Sequence, residues 1–248
     1  MKKPKISIIT VCYNAEKTIQ KTLNSIVGQS YTNKEIVIVD GQSTDGTLDI
    51  IQQYSDSIHQ FTSGKDKGIF DAMNKGISMA TGDYIWFVHA DDQIFASDTL
   101  ENAFKDHHDE DFIYGRAMLV DEQGVERPLD ERKAHPDASK LTWKSLKKGM
   151  IVCHQAMIIK KDVAPNYDLT YHLVGDLDWA IRILKKTSSI RDTEQFLCRF
   201  VEGGTSTQHR KASLKQRFTI LRKHFGLTST IWQHVKIVGA AIRRRSIR

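Results

Sequence analysis

Apolar and polar positions alternate in two distinct rhythms over the first 90 residues. Ile6 to Val11 is a short, mostly β-branched run and reads as a buried strand. From Glu16 to Val27 the apolar residues Ile19, Leu23, Ile26 and Val27 recur at helical spacing. Ile36-Val37-Ile38-Val39 is a continuous β-branched run that stops at Asp40-Gly41, the signature of a parallel strand covered on both faces. Ser43 to Thr47 then supplies helix-capping side chains ahead of Leu48-Asp49-Ile50-Ile51. Ile69, Met73, Ile77 and Ala80 share one helical face. Thr81-Gly82-Asp83 ends it, and Tyr84 to Val88 forms another strand that runs into His89-Ala90-Asp91-Asp92. This strand–helix alternation predicts an α/β fold with a doubly wound, mostly parallel central sheet flanked by helices.

The second half is less regular. Phe112 to Val120 reads as a strand and Asp121 to Gly124 as a turn. Met150 to Ile159 reads as a strand interrupted by Cys153-His154-Gln155. Trp179 to Lys186 is predicted as a helix, with Asp176 and Asp178 just before it as caps. Gln195 to Val201 is the last expected strand, ended by Gly203-Gly204.

Composition narrows the class. A 248-residue chain with 40% hydrophobic and 27% charged residues is a soluble globular balance, and one domain is expected. No stretch approaches ~18 apolar residues, which excludes an ordinary transmembrane helix. The apolar run after the basic Met1 to Lys5 is too short for a signal-peptide core. Cys12, Cys153 and Cys198 lie far apart without a CxxC pair, so a reducing, cytoplasmic setting is expected.

Charge is unevenly spread. Residues 199–248 carry twelve Lys/Arg and one acid, a net +11, whereas residues 1–198 sum to −5. The reading is a domain over 1–210 and a basic, helical extension over 211–248. Leu227, Ile231, Val235, Val238 and Ile242 form a stripe beside Trp232, followed by Arg243-Arg244-Arg245 and Arg248. A basic amphipathic helix of this kind suits the anionic inner face of a membrane, as a peripheral contact, or docks on its own domain. No nucleic-acid-reading module is present, and no nucleic-acid partner is expected.

Ligands of open α/β sheets bind at the carboxyl ends of strands. The polar clusters fall there: Thr10, Tyr13 and Asn14, then Asp40, then Asp91 and Asp92. No GxGxxG, GxxxxGK[ST] or GxSxG motif occurs, so dinucleotide, P-loop and hydrolase-elbow chemistry are unsupported. Asp91-Asp92 reads either as a turn or cap, or as a site for a hard divalent cation that bridges to phosphate oxygens. Asp66-Lys67-Gly68 before a helix is either a charged loop or a phosphate contact. Asp176 and Asp178 are either helix caps or a general base at the crevice.

The stretches Ile6 to Asn14, Ile36 to Thr47, Asp66 to Ile77 and Thr81 to Tyr84 together resemble a family 2 glycosyltransferase. His89-Ala90-Asp91-Asp92 occupies the place of that family's metal-binding DxD motif, with His89 where an Asp or Asn is usual. Thinner resemblance continues at Cys153-His154-Gln155-Ala156, at Asp176-Leu177-Asp178-Trp179 and at Gly203-Gly204-Thr205-Ser206. The resemblance implies a GT-A fold and inverting transfer of a hexosyl or N-acetylhexosaminyl group from a nucleotide diphosphate sugar. A UDP-sugar is the first expectation, with GDP- or dTDP-sugars as alternatives. The expected acceptor is a sugar or lipid-linked hydroxyl of O-antigen, capsule or exopolysaccharide type.

Carried over by position, Thr10, Tyr13, Asn14, Asp40, Asp66, Lys67, His89, Ala90 and Asp91 would bind the nucleotide-sugar. Asp91, with Asp92 and His89, would hold Mn²⁺ or Mg²⁺. Asp176 would be the base, with Asp178 as second choice. His154 and Gly204 would be acceptor or loop positions. A competing reading is a non-catalytic nucleotide-sugar-binding or scaffold subunit; His89 favours it, and Asp91 and Asp176 count against it.

Overall fold

The computed structural model describes residues 3–121, 123–129, 135–201, 209–233 and 235. Gly204 and the distal part of the apolar stripe, Val238 and Ile242 with the arginines beyond, lie outside them.

The strands are β1 (Ile6–Cys12), β2 (Lys34–Asp40), β3 (Gln60–Ser63), β4 (Tyr84–Phe87), β5 (Gln93–Ile94), β6 (Phe112–Val120), β7 (Glu126–Pro128), β8 (Met157–Lys160) and β9 (Ile190–Val201). The α-helices are α1 (Ile19–Val27), α2 (Thr47–Gln52), α3 (Ile69–Met79), α4 (Thr99–Ala103), α5 (Gly175–Lys186) and α6 (Arg210–Phe225). A further helical segment covers residues 227–233.

One sheet runs in the order β3-β2-β1-β4-β8-β6-β9-β5, with β7 paired to β6. β1 lies parallel between β2 and β4, so that Ile8 faces both Ile36 and Trp86. The β-branched runs of β1 and β2 alternate faces as strand geometry requires. Ile8, Ile36 and Ile38 enter the core with α1, while Ile9, Val37 and Val39 enter the core with α3 and α5. That double burial is why these strands read as unbroken apolar runs.

Beyond β4 the sheet becomes mixed. β8 is inserted antiparallel between β4 and β6, and β9 returns parallel to β6. The expected strand from Met150 is only Met157–Lys160; the residues before it form a 3₁₀ turn over His154–Ala156. β9 starts five residues before the expected Gln195.

Helix α5 begins at Gly175 rather than Trp179, so Asp176 and Asp178 occupy its first turn and neither side chain caps it. Their charges still complement the positive end of the helix. Helix α6, which spans most of the expected extension's first half, packs on this domain. Its Ile220 and Leu221 are buried in the core shared with Trp179 and Ile183.

Candidate active site

The carboxyl ends of β1 and β2 build one half of the site. Asp40 ends β2 fully buried, and its carboxylate is saturated from inside the protein. Ser43 donates its N–H at 3.0 Å and its hydroxyl at 2.5 Å, and the Ser63 hydroxyl donates at 2.6 Å. Thr10 is also buried, and its hydroxyl donates to the Val88 carbonyl at 2.7 Å, tying β1 to the end of β4. Asn14 and Gln42 both adopt left-handed backbone, with φ of 48° and 67°. Asn14 then donates its N–H to Ser43 Oγ at 2.8 Å and accepts from Thr44 N at 2.9 Å. The two loops are thereby locked side by side.

Their junction is a cradle. A Cβ at Gly41 would lie 3.1 Å from a carboxylate oxygen of Asp66 and 3.4 Å from the Tyr13 ring. Gly41 therefore leaves open space that both the Tyr13 ring and Asp66 border. The Tyr13 ring itself is 64% exposed. Asp66 is ion-paired to Lys75, and Lys67 presents an exposed side chain while its N–H donates to Asp71 at 3.0 Å.

The other half lies beyond β4. The structure separates the adjacent carboxylates. Asp91 faces solvent, yet enough protein surrounds it for desolvation to push its carboxyl above the ordinary value. Asp92 is fully buried, and one of its oxygens accepts the His89 N–H at 3.3 Å. Burial, with the charge of Asp91 adding to it, raises the Asp92 carboxyl well above its ordinary range. Asp92 is thus the inward brace of the turn, and Asp91 is the exposed carboxylate of the pair.

His89 is buried, with Nδ1 lacking a hydrogen-bond partner, and Ala90 is buried beside it. The His89 ring stacks on His154 at 5.8 Å and 5°. His154 in turn shares a 2.6 Å hydrogen bond between Nε2 and the Tyr167 hydroxyl. Burial pulls His89 down to about 4; burial and then the neighbouring His89 pull His154 down to about 3. Both rings are neutral at pH 7. His154 is accordingly a buried residue that links His89 to Tyr167.

Tyr167 is sandwiched between Trp179 at 4.7 Å and Phe70 at 5.1 Å, both stacked. Asn74 brackets its backbone, accepting from Tyr167 N at 2.6 Å and donating to Tyr167 O at 3.0 Å. Burial raises the Tyr167 hydroxyl well above its ordinary value, and the charge of nearby Asp176 raises it further. Asp176 is half-buried in the first turn of α5. Gly175 packs so closely on Phe70 that a Cβ there would meet its ring at 2.8 Å. This contact sets the start of α5 against α3.

Asp178 has a different job. It is fully buried and accepts from Arg182 Nε at 2.6 Å, His224 Nε2 at 2.8 Å and Lys223 Nζ at 3.2 Å. Burial works to raise its carboxyl, but these partners hold it down to about 2. Lys185 donates to His224 Nδ1 at 3.0 Å, so His224 Nε2 carries the proton given to Asp178. Asp178 anchors α6 and is neither a helix cap nor an available base.

Among the described residues, no three His, Cys, Asp or Glu side chains form a ready-made metal cluster. The candidate donors are the exposed Asp91 carboxylate and two buried atoms without a hydrogen-bond partner, His89 Nδ1 and Asp92 Oδ1. They fit a hard cation shared with diphosphate oxygens, which commonly needs only one or two protein carboxylates. Neither Tyr167 nor Ser63 stands out in the sequence; Ser43, Phe70 and Asn74 fall within the stretches that resemble the family, but what each touches emerges only from the packing.

Comparison with known proteins places this geometry. Residues 7–165 match the model of Glycosyl transferase family 2, and the chain belongs to that family. It is a glycosyltransferase of the GT-A fold. It is 31% identical over 254 residues, 98% of both chains, to the putative teichuronic acid biosynthesis glycosyltransferase TuaG of Bacillus subtilis. A PGL/p-HBAD biosynthesis glycosyltransferase of Mycobacterium bovis is 32% identical over 73% of this chain and 70% of its own. The fold is shared with S. aureus TarS 1-349, solved in complex with UDP, at TM-score 0.69 and 21% identity. That match covers 88% of this chain but only 64% of the TarS fragment. Mannosyltransferase PcManGT from Pyrobaculum calidifontis, in complex with GDP-Man and Mn²⁺, matches all of this chain and 80% of its own. Its TM-score is 0.69 and its identity 20%.

Proposed function

We propose that the chain moves a sugar, with inversion, from a nucleotide diphosphate sugar to a hydroxyl acceptor. A UDP-sugar is the first candidate, with GDP- and dTDP-sugars behind it. The acceptor would be a lipid-linked or growing bacterial surface polysaccharide, in keeping with the teichuronic acid and PGL/p-HBAD names of its relatives. The observation that carries this reading is polarity along the sheet's carboxyl edge. The cradle of Tyr13, Gly41 and Asp66 suits a planar base and its ribose. Asp91 follows β4, on the far side of β1 from that cradle, and Asp176 stands in the first turn of α5, near Tyr167.

In this reading Tyr13 stacks on the base, Asp66 and Lys67 flank the ribose and diphosphate, and buried Thr10 and Asp40 hold the loops in shape together with the exposed Asn14. Asp91, with His89 behind it, would hold Mn²⁺ or Mg²⁺, which when bound offsets charge on the departing diphosphate. Asp176 takes the proton from the acceptor hydroxyl, a role that contributes roughly 10²–10⁴-fold in rate. Tyr167, whose hydroxyl is raised by the charge of Asp176, lies near that carboxylate.

The C-terminal segment supports a peripheral site of action on the inner face of the cell membrane. Leu227, Ile231, Trp232 and Val235 are each about half exposed or more, at 50%, 48%, 63% and 57%. No helix among the described residues is long and apolar enough to cross a bilayer.

A panel of UDP-, GDP- and dTDP-sugars tested with Mn²⁺ decides the donor. One class should raise the thermal midpoint and be slowly hydrolysed, both effects vanishing with chelator. A panel that gives neither shift nor hydrolysis would overturn the reading.

A further inference from the structure

Three segments remote in sequence form one basic surface on the folded domain. They are the 3₁₀ turn Trp143–Lys148, the last turns of α5, and α6. Residues 141–149, 179–187 and 209–233 contain no aspartate or glutamate.

Aromatic stacking brings them together. Trp143 stacks on Phe225 at 5.2 Å and 11°. Lys185 and Lys144 lie 4.7 Å and 5.7 Å from the Trp143 ring centre, and Lys147 lies 5.3 Å from that of Phe225. The Arg217 guanidinium closes the seam by donating to the Lys148 carbonyl. Arg182 pairs with Asp178 and Lys223 with Asp178 and Asp168, but Lys144, Lys148, Lys185, Lys186 and Arg222 stay at the surface. Gathering so many like charges costs Coulomb energy unless an anionic partner meets them.

The character of that partner follows from what adjoins the surface. Immediately past Phe225, Gly226 takes φ of 80° and the chain turns into residues 227–233. There Leu227, Ile231 and Val235 recur at i, i+4 and i+8, exposed, beside exposed Trp232. A soluble polyanion needs only the lysines. An anionic bilayer uses both features, with cations at headgroup level and apolar side chains at the acyl boundary.

We propose that the Trp143–Phe225 platform with its lysines, together with the helical segment after Gly226, is a single docking face for an anionic lipid bilayer. This deepens the peripheral-membrane reading, because it assigns the contact to the folded domain as well as to the tail. The platform fixes how the enzyme sits on the surface, since α5 carries Lys185 and Lys186 at one end and Asp176 at the other.

The test is co-sedimentation of the full chain with phosphatidylglycerol-containing vesicles and with pure phosphatidylcholine vesicles at low salt. Wild type should bind only the former. The exposed-lysine variant Lys144→Gln/Lys148→Gln/Lys186→Gln should bind about 100-fold more weakly, at roughly 5-fold per charge, with its thermal midpoint unchanged. Ile231→Ser/Trp232→Ser should also lose binding. If the lysine variant binds like wild type, the domain platform is overturned and only the tail remains a membrane contact. If wild type ignores anionic vesicles, or binds heparin while ignoring them, the bilayer proposal is overturned. Neither result bears on sugar transfer, which donor hydrolysis judges separately.

Discussion

The imidazoles of His89 and His154 stack face to face, 5.8 Å apart and 5° from parallel, although 65 positions separate them in the chain. One opens the His89-Ala90-Asp91-Asp92 motif proposed to hold the donor's charge, and the other bonds to Tyr167, which lies near Asp176. The two ends of the site are thus joined through the interior by neutral rings. His154→Phe keeps the ring but leaves the buried Tyr167 hydroxyl unpaired. It should cost about 1–3 kcal/mol in chemical denaturation. Wild-type stability would show that this bond is dispensable.

The approach of Gly175 to Phe70 makes a second prediction. Gly175→Ala forces a methyl into the ring and should cost about 1–3 kcal/mol through overpacking. Phe70→Leu in the same chain should recover part of that loss, a coupling read from a double-mutant cycle. Additive effects would mean that the contact does not set the start of α5.

Asp178 supplies a pH test. Its carboxyl is held at about 2, below the ordinary 3.8, so its contribution to stability is complete above that ordinary value. It is lost as pH falls through 3.8 toward 2, because the unfolded chain then takes up a proton that the folded one resists. Asp178→Asn should flatten the stability curve in that window. It should also cost about 3–5 kcal/mol at neutral pH, since Arg182 and Lys223 lose a buried counter-charge. Equal acid slopes in both proteins would place the linkage elsewhere.

The N-terminal half of the sheet was legible because its strands are buried on both faces and written in β-branched runs. The polar cluster proposed for the donor was legible because its residues follow those strands directly. The rest depends on pairings the chain does not advertise. β8 slips antiparallel between β4 and β6, and polar Arg191, Asp192 and Glu194 disguise the first part of β9. Asp176 and Asp178 look like caps because acids favour both the cap and the first turn. Only the packing of α6 shows that one is clasped by cations. Tyr167 carries no pattern at all; its place comes from Asn74, 93 positions away.

Asp91 standing alone at the surface predicts a sharp metal phenotype. Asp91→Ala should abolish the Mn²⁺-dependent part of donor binding, read by calorimetry with UDP, and leave the thermal midpoint nearly unchanged. Asp92→Ala should instead destabilise the turn and lower the midpoint by several degrees, because the His89 N–H loses its acceptor. Interchanged phenotypes would reverse the roles of the two carboxylates.

The central claim is that Asp176 is the base and that donor binding belongs to other residues. Asp176→Asn keeps the shape of the side chain and removes the proton acceptor. Single-turnover transfer, measured beside UDP and Mn²⁺ affinity in the same preparation, tests this most directly. The account predicts a 10²–10⁴-fold loss of turnover, about 3–5 kcal/mol of transition-state stabilisation, with donor affinity within twofold of wild type. Normal transfer by Asp176→Asn, or a fall in donor affinity equal to the fall in rate, would contradict it.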